Sequence, residues 1–185
     1  MFLQYQGINK TIYRVEETKE TRLAAGGEGV IYPIIDNDRM VAKIFKPDKR
    51  DKKREEKLRL MVQTRLSEGQ LKQVTWPQDV LYDNDEFVGY IMPKIEKPQS
   101  LTEIYASDKC DYDLRYRLLA AVNLCVAVDT VHEMGQVCGD LNPQNICVNL
   151  NENDRENAFK VTLVDTDSYH FTSGETIYRC EVGQG

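Results

Sequence analysis

Two Asp-Asn-Asp triplets, at positions 36–38 and 83–85, constrain the first half of this chain most strongly. Asp and Asn side chains bond their own backbone in tight turns, and each triplet stands between apolar runs of strand length. Before the first triplet come TRLAA, the glycine cluster GGEG and VIYPII; after it comes RMVAKIF. The second triplet joins DVLYD to EFVGYIM. The β-branched and alternating content of these runs predicts five short strands. Between the two predicted hairpins the apolar period changes. Pro47 and Asp48 predict a helix start, and Leu58, Met61, Val62 and Leu66 share one helical face.

The second half reads differently. KIEKPQS is a linker. Residues 112–134 carry the strongest helical pattern, with Leu114, Leu118, Val122, Cys125 and His132 predicted as the buried stripe and Gly135 as the stop. The loop VCGDLNPQNICV follows. ICVNL and FKVTLV then predict a hairpin around the solvated loop NENDREN, and the last twenty residues read as polar and irregular. The pattern is α+β: a small N-terminal lobe of strands with one inserted helix, then a helical lobe with a small hairpin. The expected boundary puts residues 1–95 in the first lobe and 96–185 in the second.

Composition narrows the function. The chain has 185 residues, 41% hydrophobic and 29% charged, which fits a globular protein with a real core. A net charge of −6 argues against a nucleic-acid-binding domain. No apolar run approaches the roughly 18 residues of a membrane span, and the N-terminus lacks the apolar segment of a secretory signal. The five cysteines form no CxxC pair, so reduced thiols in a cytoplasm are expected, not a disulfide framework or a zinc site.

Several residues carry chemistry. Glycines in Ala25-Gly26-Gly27-Glu28-Gly29 let backbone N–H groups approach phosphates, although taken alone the cluster reads first as a plain Gly-rich hairpin turn. Lys43, in the strand MVAKIF, needs a partner if its head is buried, and Glu56 follows thirteen residues later; in isolation, a lysine snorkelling from an edge strand is the better reading. Asp140 precedes Asn145 by five positions. Asp165 ends the strand VTLV and reads either as a turn cap or, with Asn145, as an oxygen set for Mg²⁺, which takes few protein ligands and completes its shell with phosphates and water.

The order of these features resembles the protein kinase signature set. GGEG-V-I-Y resembles the phosphate-covering loop, with Ala24 where the first glycine would be. The resemblance implies that Ala25, Gly26, Gly27, Glu28, Gly29, Ile31 and Ala42 line an ATP site. It gives Lys43 to the α/β-phosphates, with Glu56 as its ion-pair partner on the αC helix. YIMPKI resembles the hinge, with Met92 as gatekeeper and Pro93 and Ile95 offering backbone groups to adenine. Asp140 matches the catalytic base, and Asn145 and Asp165 match the Mg²⁺ ligands. The implied fold is two-lobed, with a small antiparallel sheet plus αC and a helical C-lobe that is truncated within the activation segment; a cut chain, a naturally short protein and a chain that needs a partner to cover exposed apolar surface are all open readings of that end. The likeness spans about residues 20 to 185, and TWPQDVLYD, FVGYIMP, GDLNPQN and LVDTDSYHF point to a bacterial group of protein-kinase-like domains, some of which precede a helix-hairpin-helix region.

Departures from that pattern shape the expected activity. Cys138 and Gly139 stand where His and Arg would be, so switching by a phosphorylated activation loop is not expected. Thr166 and Asp167 replace Phe and Gly; Thr166 and Cys138 are expected to form a smaller packing unit, and the Asp167 carboxylate to lie near the metal ligands. Asn142 replaces the lysine that neutralises charge on the transferred group, which implies slow turnover. The leading expectation is an ATP- and Mg²⁺-dependent Ser/Thr-type protein kinase domain. The alternatives are a nucleotide-binding pseudokinase scaffold and a small-molecule phosphotransferase, since GDLNPQN also resembles the loop of aminoglycoside-type enzymes.

Overall fold

The computed structural model describes residues 2–96, 98–105, 112–151, 153, 154 and 156–179. Cys110 and Cys180 lie outside these. The chain divides into two units, one of residues 1–65 with 76–94, the other of 66–75 with 95–185.

The first unit is built on a seven-stranded antiparallel sheet: β1 (Leu3–Gln6), β2 (Ile12–Val15), β3 (Ala24–Ala25), β4 (Gly29–Ile34), β5 (Asn37–Phe45), β6 (Asp79–Asp83) and β7 (Glu86–Pro93). The strand order is β2-β1-β6-β7-β5-β4-β3. The strands from 24 onward lie where the alternation places them, but β1 and β2 are additional. Their hairpin pairs Leu3 with Val15 through Gln6 with Ile12, and Gln6 also pairs with Tyr82 of β6. Val15 pairs with Ile34 of β4, so the sheet closes on itself. The Ile35 N–H donates to the Arg14 carbonyl at 2.9 Å, and Arg14 forms an ion pair with Asp36 of the first acidic turn. Inside the closure lie Tyr5, Val15, Ile34, Ala42, Ile44, Leu81, Val88 and Ile91. The second acidic turn is tight, with Asn84 and Asp85 both at positive φ, as two-residue hairpins require.

A buried carboxylate secures the extra hairpin. Asp79 accepts from the Ile8 N–H at 3.0 Å, the Tyr13 hydroxyl at 2.8 Å and the Val80 N–H at 2.8 Å. Burial and this bond to Asp79 push the Tyr13 hydroxyl above its ordinary range.

Residues 47–66 do not form one helix. Pro47–Lys49 is a single 3₁₀ turn, and α1 runs from Lys52 to Gln63. The Asp51 carboxylate accepts from the Arg54 N–H at 2.8 Å and fixes that start, so the cap is Asp51 and not Asp48. Leu58 and Met61 are buried as expected, while Leu66 lies past the helix end. Trp76 anchors the approach to β6: its ring is fully buried and its indole N–H donates to the Met61 carbonyl at 2.9 Å.

The second unit contains α2 (Glu68–Leu71), β8 (Gln99–Ser100), α3 (Thr102–Tyr105), α4 (Leu114–Glu133), β9 (Ile146–Val148), β10 (Val161–Leu163), β11 (Phe171–Ser173) and β12 (Thr176–Tyr178). The β9–β10 hairpin is the expected one, and β8 extends it from within the linker. Residues 66–75 belong to this unit: the Leu163 N–H donates to the Gln73 carbonyl and the Thr75 N–H to the Leu163 carbonyl, at 2.7 and 3.0 Å. The end of the chain is less irregular than its polarity suggests. β11 and β12 form a hairpin, and the buried Gln136 side chain accepts from the Thr172 N–H at 2.7 Å.

The main correction concerns α4. Its length and its stop are as read: Gly135, at φ 70°, donates to the His132 carbonyl, and Gln136 donates to the Val131 carbonyl, a double bond pattern that closes the helix. The stripe is not as read. Leu114, Leu118 and Val122 are 69%, 56% and 59% exposed, and Cys125 and His132 are exposed too. The covered face is Ala120, Ala127, Thr130 and Val131. This helix is apolar on more than one side. Small residues let β10 and Phe159 approach, with the Asn123 amide donating to the Phe159 carbonyl at 2.8 Å.

Replacing Asp79 with Ala strands three donors, so Asp79→Ala is expected to lower unfolding free energy by about 2–3 kcal/mol in a urea titration; a variant within about 0.5 kcal/mol of the parent contradicts the role given to that carboxylate. A second outcome concerns thiols. Burial pushes the Cys147 thiol on β9 up to about 11, so at pH 8 a maleimide should label exposed Cys125 well before Cys147. Equal labelling rates at that pH speak against this packing.

Candidate functional site

Strand alternation sorts the residues of the first unit. On β5, Lys43 and Phe45 share one face with Val41, while Ala42 and Ile44 point into the closed sheet. Ala42 is fully buried among those core residues, so Val41 and not Ala42 lines the Lys43 face. Ile31 lies opposite Lys43 on β4, and Met92 lies opposite Val41 on β7, so both belong to that face. Pro93 follows at the strand end, and Ile95 belongs to the second unit.

Lys43 is 6% exposed. Its Nζ lies 5.4 Å from the Phe45 ring centroid and 5.8 Å from that of Tyr90, where ring faces stabilise a cation. The expected pairing with Glu56 does not form. Glu56 is exposed on the outer side of α1, whose inward positions are Arg54, Lys57, Leu58 and Met61. Leu58 and Met61 set the inward face, and Arg54 and Lys57, each four residues before one of them, share it. Glu55, the neighbouring acid, accepts from the Tyr82 hydroxyl at 2.9 Å.

The glycine cluster forms the tip between β3 and β4, closed by a Gly26 N–H to Gly29 carbonyl bond of 2.9 Å. Its glycines differ in what demands them. A Cβ on Gly29 would stand 2.5 Å from the Ile44 carbonyl, so packing requires that glycine. A Cβ on Gly26 or Gly27 would meet nothing within 4 Å. Ala25 pairs with Val30 at the base. Glu28 forms an ion pair with Arg54 at 2.7 Å. Neither Val41 nor Arg54 was singled out from the sequence; the parity of β5 would have found the first, and only the helix phase reveals the second.

In the second unit the loop after α4 is held by its own amides. The Val137 and His170 backbones bond each other, which fixes its entry. Asn142 caps a 3₁₀ turn, Pro143–Asn145: its side-chain oxygen accepts from the Gln144 N–H at 2.9 Å and the Asn145 N–H at 3.2 Å. The oxygen is thereby used in structure, and the amide N–H₂ remains to donate. Asn145 donates from Nδ2 to both the backbone oxygen and Oδ2 of Asp140, each at 3.0 Å. The Asn145 amide therefore turns its Oδ1 acceptor to other groups. The Val164 N–H donates to the Asn145 carbonyl at 3.0 Å, which places Asp165 immediately after a residue tied to the loop. Asp165 is left-handed, at φ 59° and ψ 40°, an uncommon conformation that Asp tolerates. Asp140, Asn145 and Asp165 thus share one bonded framework.

The residues beside this framework have bonds of their own. The Thr166 hydroxyl is buried and donates to the Thr75 carbonyl at 2.9 Å, while the Cys138 thiol meets Tyr169. Thr166 and Cys138 thus have separate partners. Burial raises the Cys138 thiol, and burial together with Cys138 raises the Tyr169 hydroxyl. Asp167 is buried.

None of the described helices is long and apolar enough to cross a membrane. The family model for lipopolysaccharide kinases (Kdo/WaaP) matches residues 89–170, a stretch that contains Asp140, Asn145 and Asp165. The protein kinase YegI of Escherichia coli O157:H7 is 31% identical over 175 residues, covering 90% of this chain and 25% of that protein. The chain therefore spans about a quarter of the length of the curated relatives it matches. Among solved structures, vaccinia related kinase 3 matches with a TM-score of 0.61 at 16% identity, over 92% of this chain and 51% of that one. Rad53 in complex with AMP-PNP matches with a TM-score of 0.57 at 16% identity, over 86% and 39%. The α+β architecture is the protein kinase fold, and the chain is similar to bacterial protein-kinase-like domains.

Proposed function

We propose that this domain binds ATP with Mg²⁺ and transfers the γ-phosphoryl group to a hydroxyl, of the Ser/Thr kind in a protein. The observation that carries this reading is the pair of bonds from Asn145 Nδ2 to Asp140, which fixes a carboxylate and orients an amide oxygen within one loop. Asp140 would accept the proton of the attacking hydroxyl. Asn145 Oδ1 and the Asp165 carboxylate fit a hard cation that takes the rest of its oxygens from phosphates and water. When bound, that cation neutralises charge on the phosphates. Lys43 would hold the phosphates from its ring-lined face, and the open space over Gly26 and Gly27 suits a close approach by them. The AMP-PNP complex of Rad53, a protein of the same fold, agrees with nucleotide as the ligand.

Two observations favour a second reading, a nucleotide-binding scaffold with little turnover. Asn142 spends its oxygen on a turn cap and brings no charge to the transferred group, and Glu56 faces solvent. The match to a lipopolysaccharide kinase model also keeps a non-protein hydroxyl acceptor in play.

Calorimetric titration with ATP decides the nucleotide part. Binding should require Mg²⁺, and both Lys43→Met and Asp165→Asn should weaken it about tenfold or more, a loss of about 1.4 kcal/mol. A folded chain that binds no ATP sinks the enzymatic reading. With a hydroxyl acceptor supplied, Asp140→Asn should abolish transfer and leave nucleotide binding in place, while Asn142→Lys should raise the rate; an active Asp140→Asn variant would remove the base assignment. The glycines supply a further check. Gly27→Val should leave the melting temperature within about 1 °C while weakening MgATP binding, whereas Gly29→Ala should lower it by several degrees, about 4–8 °C per kcal/mol. The reverse order would show that the hairpin tip is structural.

A further inference from the structure

The glycine hairpin is held from two directions. Its backbone is tied to the end of β5 by the Lys46 N–H, which donates to the Glu28 carbonyl at 2.9 Å. Its single acidic side chain is tied to α1, since Glu28 Oε1 receives Arg54 Nη2 at 2.7 Å. The pair is mostly withdrawn from water, with Arg54 20% and Glu28 31% exposed, so solvent screens it less than a surface pair.

Arg54 is itself fixed in place. Its guanidinium carbon lies 4.7 Å from the centroid of Phe45, a ring that is 1% exposed. The same ring has Lys43 Nζ at 5.4 Å. One aromatic ring therefore sets both the cation that reaches the hairpin and the lysine assigned to the phosphates. The acids of α1 do not compete for this position: Glu55 is bonded to Tyr82 and Glu56 faces solvent. Helix and strand are thus tied by a cation from the helix and an anion from the hairpin.

We propose that the Glu28–Arg54 ion pair is a positioning element of the nucleotide site, holding the glycine hairpin against α1 so that Gly27 at its tip presents its amide at a fixed height to the phosphates. This rests on the nucleotide reading above. Neither side chain needs to touch the ligand. Releasing the pair frees a tip whose glycines resist bending weakly, and the cost falls on phosphate binding.

The test compares MgATP and adenosine affinities by calorimetry for the parent chain, Glu28→Gln, Arg54→Gln and the double variant. Each single variant should weaken MgATP binding about tenfold. The double variant should lose no more than either single one, because both act through one pair. Adenosine has no phosphates, so its affinity should stay within about twofold of the parent's. Unchanged MgATP affinity in the single variants overturns the proposal. So do losses that add in the double variant, or losses shared equally by adenosine, which would mark general damage to the fold. If the parent chain binds neither ligand, the nucleotide reading fails first and the positioning role goes with it; if it binds both and the variants match it, only the positioning role fails.

Discussion

The pairing of Val15 with Ile34 is the contact on which the first unit depends. Without it, β2 would leave an unpaired edge and the residues around Tyr5, Leu81 and Val88 would face an open side. With it, the sheet encloses one apolar core, and strand alternation becomes a division between inside and outside. Ala42 and Ile44 go in. Val41, Lys43 and Phe45 go to the face on which Phe45 meets Arg54 of α1. The position of the lysine thus follows from a hairpin whose residues carry no chemistry. Asp79 reinforces this: its buried carboxylate has three donors from the hairpin and from β6, so its charge is compensated where burial would otherwise cost several kcal/mol.

The second unit is organised by side-chain amides. Asn142 caps a turn, Asn145 joins that turn to Asp140 and through its carbonyl to the strand before Asp165, and Gln136 holds the hairpin at β11. Amides suit this task because each supplies both donor and acceptor at no charge. The consequence is chemical as well as structural. The Asn142 oxygen is occupied by backbone N–H groups, so the position that ordinarily brings a positive charge supplies only donor hydrogens. The loop keeps its shape with fewer electrostatic resources for stabilising a transferred phosphoryl group.

How much of this was legible in the sequence depended on the range of the interactions. The two acidic turns, the β9–β10 hairpin and the length of α4 follow from local turn chemistry and periodicity, and each stands within a residue or two of its expected place. The Asp140–Asn145 spacing is also local, and a single turn brings the two side chains into contact. The failures share another origin. Leu58 and Met61 set the inward face of α1, and Arg54 and Lys57 stand four residues before them on that face, whereas Glu56, two residues before Leu58, lies on the other side. The tip glycines look alike in sequence, yet only Gly29 is needed by a neighbour, because the neighbour is a carbonyl on another strand.

By itself the sequence determined the strands from β4 to β7, the β9–β10 hairpin, the length of α4, the two acidic turns and the spacing of the loop acids and amides, since all of these arise between residues close in the chain. Tertiary structure alone decided that β2 closes onto β4, that α4 buries Ala120 and Ala127 while exposing Leu118 and Val122, and that Glu28 finds Arg54. Periodicity tells which side chains share a face. It does not tell what covers that face, because the covering residues come from distant parts of the chain and their fit depends on volume and charge in three dimensions.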